Sequence, residues 1–238
     1  MSSSLSVNCR QAKANKETEG RNRLKHTHKK ALIISLILLA AFALWTIALH
    51  FIDVQAIGPR DSAVGFAVIN AAFHSLTGVH MVLYTITDWL GLIPVAFGFG
   101  FTVLGLVQWC KRKSLFKVDF SILMLGVFYI AVLAAYLLFE VYVVNYRPVL
   151  INGYLEASYP SSTTMLVMCV MPTAMMQLNS RIQNAAFRQC VRILIALFIG
   201  FMVIGRLLSG VHWLTDIIGG ALLSAGLVMV YHTVSKLK

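Results

Sequence analysis

Charge is what this chain has least of. Only 12% of its 238 residues are Asp, Glu, Lys or Arg, and nine of them are acidic, while 58% of the chain is hydrophobic. An ordinary soluble domain is not built this way, and the apolar residues fall in long runs that read as membrane spans. Cysteine is also scarce. Cys9, Cys110, Cys169 and Cys190 show no metal-site spacing; three lie beside basic segments and Cys169 lies in an apolar run. Neither a disulfide framework nor a metal centre is expected. No internal repeat or low-complexity tract is evident. The net charge of +11 invites a nucleic-acid reading, but the basic residues gather in a tail and in short loops. No basic stripe lies along a soluble domain, which argues against a nucleic-acid partner.

What is present is an all-α pattern of six spans, at roughly Ala31–Ile52, Leu90–Trp109, Phe120–Tyr142, Ser162–Leu178, Ile193–Leu208 and Trp213–Val234. About 20 helical residues cross a bilayer core of about 30 Å. The fourth and fifth are shorter but sufficient, and Pro172 is a candidate kink in the fourth. Residues 1–30 are polar and basic and read as a flexible tail, leaving residues 31–238 as one membrane domain. Seventeen of the twenty Lys and Arg residues fall in the tail, after the second span, between the fourth and fifth, and at the chain end. With six spans these all lie on one side. Only Arg60, Arg147 and Arg206 lie opposite, so the positive-inside rule puts both termini in the cytoplasm. Asp53–Trp89 becomes an outer segment, with Ser62–Phe73 a candidate interfacial helix and His74 and His80 near its end. In the last span, Gly219, Gly220, Ser224, Ala225 and Gly226 permit close helix packing.

Three polar segments interrupt this frame: Tyr146-Arg147-Pro148, Tyr159-Pro160-Ser161-Ser162-Thr163-Thr164, and Arg206-x5-His212-x3-Asp216. Topology puts all three on the outer face. His212 and Asp216 are four apart and share one face of a helix. A carboxylate there can accept the imidazole Nδ1 proton and leave Nε2 free to attack phosphorus. The Pro-Ser-Ser-Thr-Thr stretch starts a helix, and a helix N-terminus offers free amides and a positive dipole to an anion. Taken singly, each feature has a plainer reading: a span-end arginine, a loop arginine, a capping run, a His beside a buried Asp. Their joint placement favours phosphate chemistry.

These residues resemble the type-2 phosphatidic acid phosphatase superfamily, which includes the vanadium haloperoxidases. Its pattern is Lys-x6-Arg-Pro, then Pro-Ser-Gly-His, then Ser-Arg-x5-His-x3-Asp. Arg147-Pro148 matches the first motif, Pro160-Ser161 the second, and Arg206, His212 and Asp216 the third, with Gly205 in place of Ser. The resemblance implies that His212 forms a phosphohistidine and that Asp216 orients it. It also implies that Arg147, Arg206, Ser161 and the neighbouring backbone at Ser162 and Thr163 hold phosphate oxygens, with no metal or other cofactor. The implied substrates are lipid phosphates and diphosphates, often at the outer leaflet. A bacterial plasma membrane fits, as do eukaryotic internal membranes.

Two positions depart from the pattern. Glu140 stands where the family has Lys, and Thr163 where it has the His that protonates the leaving oxygen. Losing a general acid typically costs about 10²–10⁴-fold in rate. Glu140 lies two helical turns before Arg147, near enough for an ion pair. Three hypotheses stay open. An active phosphatase could favour a substrate with a good leaving group, which suits polyprenyl diphosphates such as undecaprenyl diphosphate better than phosphatidic acid. Glu140, His74 or His80 could serve as a substitute acid. Or the chain could be an inactive relative that binds lipid phosphate, with phosphotransfer to another lipid a variant of the active readings. Oligomeric state is not legible.

Overall fold

The computed structural model describes the backbone of residues 2–236 and the side chains of residues 26–236. The expected flexible tail, residues 1–30, therefore lies mostly outside the described side chains. The long regular elements among the described residues are all helices: α1 (Ser2–Phe51), α2 (Ala67–Thr77), α3 (Met81–Leu90), α4 (Leu92–Arg112), α5 (Phe120–Val141), α6 (Ser162–Asn179), α7 (Ala185–Leu208) and α8 (Leu214–Val234). Among the described residues, extended pairing is confined to three isolated bridges, Gln55 with Val64, Tyr146 with Ala157 and Ile151 with Tyr154.

Five stretches are long and apolar enough to cross a membrane: His26–Phe51, Met81–Arg112, Phe120–Val141, Ala185–Leu208 and Leu214–Val234. The expected fourth span appears as α6 but falls outside this set, because it carries Thr163, Thr164, Thr173, Gln177 and Asn179 among its apolar residues. Its position explains the composition. Helix α6 packs against α4, α5, α7 and α8, and Val167, Cys169, Thr173 and Ala174 are fully buried. A helix wrapped by other helices can carry polar groups that find partners inside the protein. Thr173, for example, donates to the Cys169 carbonyl at 2.8 Å.

Two boundaries differ from expectation. The second span begins at Met81 rather than Leu90, since Gly91 stays right-handed helical (φ −59°, ψ −18°) and α3 runs on into α4. At about 1.5 Å per residue this 32-residue rod is about 48 Å long. Asp88, an acid within this rod, is paired with Arg206 at 3.2 Å. The helix expected at Ser62–Phe73 is instead Ala67–Thr77. Residues 62–66 instead turn back on the end of α1, where Val64 pairs with Gln55 and Phe66 N donates to the Ile52 carbonyl at 2.9 Å.

The small residues of α8 meet their neighbours closely, as their sizes suggested. Leu39 of α1 seats on Gly226, and Ser224 Oγ donates to the Met165 carbonyl of α6 at 3.3 Å. At Gly219 an added Cβ would lie 2.3 Å from the Tyr159 ring. That ring stacks on Phe42, 6.2 Å between centroids, and its hydroxyl shares a 2.7 Å hydrogen bond with Thr46. Tyr159 thus pins the start of α6 between α1 and α8.

Candidate active site

The three polar segments meet at one end of the bundle. Beyond α5 the chain folds as a narrow loop: Arg147 N donates to the Glu156 carbonyl at 3.1 Å and Ser158 N to the Asn145 carbonyl at 2.9 Å. This brings Arg147 and Ser158 back beside each other, and a cis Tyr159–Pro160 peptide leads into α6. The first turn of α6 then presents Ser161, Ser162 and Thr163, with Ser161 N donating to the backbone carbonyl of Asp216 at 3.1 Å. Arg206 sits in the last turn of α7. His212 follows a turn at Gly210, whose φ of +68° suits glycine and where a Cβ would lie 2.0 Å from the Gly78 carbonyl.

His212 and Asp216 do not touch directly. Their nearest atoms, Nδ1 and Oδ2, are 3.8 Å apart, and Ser158 Oγ lies between them, 3.0 Å from Nδ1 and 2.5 Å from Oδ2. The hydroxyl proton goes to the carboxylate, which can only accept. Ser158 Oγ must then accept the imidazole Nδ1–H, and Nε2 keeps its lone pair. The expected direct hydrogen bond is thus replaced by a relay, because the start of α6 inserts the loop residue Ser158 where the helix face alone would leave a gap. Asp216 is fully buried and also accepts from Asn145 Nδ2 at 3.2 Å and from Trp213 N at 2.9 Å. Three donors satisfy a carboxylate that would otherwise be costly to bury. Trp213 in turn is tied to the Arg147 loop by its indole N–H, which donates to the Tyr146 carbonyl at 2.8 Å.

The two arginines converge on one ring. Arg206 lies 4.6 Å from the Tyr84 ring centroid and Arg147 5.9 Å. Arg206 is 1% exposed, and its Nη atoms reach the Tyr84 carbonyl, Thr87 Oγ1 and Asp88 Oδ1, each at 3.2 Å. Arg147 Nε lies 3.1 Å from Glu156 Oε2. The expected Glu140 partner is therefore displaced: Glu140 is exposed, and Arg147 takes the nearer carboxylate of its own loop.

Four of the polar atoms buried here without a hydrogen-bond partner among the described residues belong to expected site residues: Arg147 Nη1, Arg206 Nε, His212 Nε2 and Ser161 Oγ; Thr164 Oγ1, next on α6, and Arg147 Nε, ion-paired with Glu156, are two more. Each such group costs about 1–3 kcal/mol, and native proteins rarely leave several together. Of the four, three are donors and the fourth is a lone pair. Donors and a free lone pair are the groups that an oxyanion and its electrophilic centre would satisfy. The α6 N-terminus adds its dipole and free amides. Burial pushes the His212 imidazole down to about 4, against the pull of Asp216 and with the help of both arginines. It is therefore neutral at physiological pH, as a nucleophile requires.

Beside these atoms lies a polar cavity of about 240 Å³, walled by Arg147, Ser158, Ser162, Glu140, Glu156 and Tyr136 among others. His212 and Arg206 are not on its wall; His212 is 3% exposed. A second, largely apolar groove of about 580 Å³ runs between α4, α5 and α6, from Ser162 and Thr163 to Pro94 and Phe99. Thr163 faces this groove rather than the polar cavity. His74 and His80 stand apart from the cluster. The His74 ring donates from Nε2 to the Gly210 carbonyl at 3.1 Å and the His80 ring to the Thr77 carbonyl at 2.9 Å. Both brace backbone next to the His212 turn.

Sequence reasoning did not identify Ser158, Glu156, Tyr84, Asn145 or Asp88. Only Asp88 left a signal, as an acid on the shoulder of an apolar run.

The model of the PAP2 superfamily matches residues 39–238. No curated protein matches this sequence. Among solved structures, the crystal structure of the first transmembrane PAP2 type phosphatidylglycerolphosphate phosphatase, from Bacillus subtilis, aligns with a TM-score of 0.52 at 19% identity. It covers 83% of this chain and 94% of its own, a likeness of fold. The apolar helices and this shared transmembrane fold make the chain an integral membrane protein. With a family match across most of its length, the chain belongs to the PAP2 superfamily.

Proposed function

We propose that the chain is a membrane lipid phosphatase that works through a phosphohistidine on His212. The observation that carries this reading is the set of buried, unpartnered polar atoms on Arg147, Arg206, Ser161 and His212, residues that the three polar segments bring to one end of the bundle. His212 Nε2 attacks phosphorus, the P–O bond to the lipid breaks, and water later cleaves the P–N bond. Arg147, Arg206, Ser161 and the first amides of α6, at Ser162 and Thr163, carry the phosphoryl oxygens and the charge that grows on them. Ser158 and Asp216 hold the imidazole in the reactive tautomer. The Arg147–Glu156 pair is the contact that an arriving phosphate exchanges, since a carboxylate already occupies one edge of that guanidinium.

The apolar groove supports a lipid as the leaving part, because it begins at Ser162 and Thr163 and runs along the bundle side. Thr163 has no proton to give at neutral pH, so a substrate whose leaving group is itself a phosphate is favoured. That points to a polyprenyl diphosphate ahead of phosphatidic acid. In this reading α6 completes six spans, both termini are cytoplasmic, and the site faces outward, as in a bacterial plasma membrane. An inactive lipid-phosphate-binding relative is the second reading, favoured by Thr163 and by the small exposure of His212.

Phosphate release by purified protein, across polyprenyl diphosphate, phosphatidic acid and phosphatidylglycerol phosphate, tests the proposal. Turnover abolished by His212→Ala and fastest on the diphosphate is expected. Binding without turnover on every substrate would leave only the second reading.

A further inference from the structure

The two cavities share three residues: Tyr136, Ser162 and Met165. If phosphate is held at the polar end and the chain lies in the groove, the oxygen joining them lies at this junction. Met165 has no proton to offer. Ser162 carries an alkanol and sits at the first helical position of α6. Tyr136 carries a phenol, far more acidic than an alkanol, with an unperturbed pKa of about 10. Its hydroxyl makes no hydrogen bond to the described residues, and the ring is 37% exposed. Glu140, Arg147 and Glu156 lie close enough for their charges to act on it. Glu140 and Glu156 reach the polar cavity only.

We propose that Tyr136 donates the proton to the leaving oxygen, the task for which Thr163 lacks a suitable group. The inference rests on the phosphohistidine reading above. As Nε2 of His212 bonds to phosphorus, the P–O ester bond breaks and its electrons pass to the leaving oxygen, which takes the Tyr136 proton. The Arg147 guanidinium favours the phenolate that remains, while Glu140 and Glu156 oppose it and favour prompt return of the proton. In the second half, Tyr136 takes a proton from the attacking water as the P–N bond breaks, which restores the phenol. A lipid monophosphate thus gives lipid alcohol and inorganic phosphate, a diphosphate gives lipid monophosphate and inorganic phosphate, and the enzyme is unchanged.

The test is leaving-group dependence. Tyr136→Phe keeps the ring and removes the proton. Rates are compared on a lipid monophosphate, which expels an alkoxide, and on p-nitrophenyl phosphate, which expels a weakly basic phenolate. The ratio of kcat/KM for the lipid over the aryl ester is expected to fall by about 10²-fold or more. Adding Thr163→His to Tyr136→Phe is expected to recover most of that ratio. A ratio within about threefold of the unmodified protein overturns the role of Tyr136, whether both rates hold or both fall. The underlying reading fails differently: unmodified protein and His212→Ala would then turn over p-nitrophenyl phosphate equally.

Discussion

Replacing Ser158 with Ala removes one atom and leaves the backbone of its loop intact. Its hydroxyl is the sole described link between the His212 imidazole and the Asp216 carboxylate, at 3.0 Å and 2.5 Å. Without it the remaining Nδ1–Oδ2 separation is 3.8 Å, too long for a hydrogen bond. The Nδ1–H loses its acceptor in a fully dry position, and the tautomer that leaves Nε2 free loses its support. A hydrogen bond involving a charged group contributes about 1.5–3 kcal/mol, and about 1.4 kcal/mol is tenfold in rate. The expected loss in kcat is therefore about 10–10²-fold, with KM little changed because Arg147 and Arg206 still meet the phosphate. Asp216→Asn should cost more, since it also strips the negative charge that stabilises the developing imidazolium. Initial rates of phosphate release in detergent micelles would be read for both variants, with thermal unfolding as the check on folding. An unchanged kcat in Ser158→Ala, with Asp216→Asn strongly impaired, would refute the relay and favour direct contact between His212 and Asp216 during turnover.

Other expectations follow from the same geometry. Arg206→Lys keeps a charge but loses the planar fork that bonds the Tyr84 carbonyl, Thr87 and Asp88 and the face-on contact with Tyr84; kcat/KM is expected to fall about 10²-fold. Gly210→Ala places a Cβ 2.0 Å from the Gly78 carbonyl at a left-handed φ, so it should lower Tm and activity together, whereas Gly153→Ala, equally left-handed (φ +81°) but with open space around its Cβ, should show the backbone strain without the clash and cost less. His212, pushed down to about 4, is neutral above that pH and becomes charged only below it. After correction for substrate ionisation, kcat/KM should therefore keep its imidazole-dependent activity down to about pH 4, and an acid limb near 6.5 would contradict the burial argument. By the same sign, protonating this buried imidazole is harder in the folded than in the unfolded chain, so its contribution to stability falls as pH drops from about 6.5 towards 4.

Long apolar runs, basic loops and three polar segments were enough to read the helical membrane frame and the gathering of Arg147, Arg206, His212, Asp216 and Ser161. The reason is that successive long helices reverse direction, so segments at alternate helix ends gather at one end of the bundle. The finer contacts depend on geometry that no spacing encodes. Ser158 reaches His212 because a narrow loop reverses after α5, and Glu156 captures Arg147 from the same loop, overriding the helical proximity of Glu140. The second span extends nine residues further back than Leu90 because Asp88 inside it is paired with Arg206, 118 residues away in sequence. Helix α6 posed the reverse difficulty. Its hydroxyls and Gln177 look unfit for lipid, and they are tolerated because neighbouring helices enclose them.

The central claim is covalent. Rapid quenching of the purified protein with a substrate labelled in its transferable phosphoryl group, followed by peptide mapping, should reveal an acid-labile, alkali-stable phosphoryl group on His212. It should form at a rate no slower than turnover and be absent from His212→Ala. Turnover with no such group on His212, or with an equal amount of label in His212→Ala, would contradict the account.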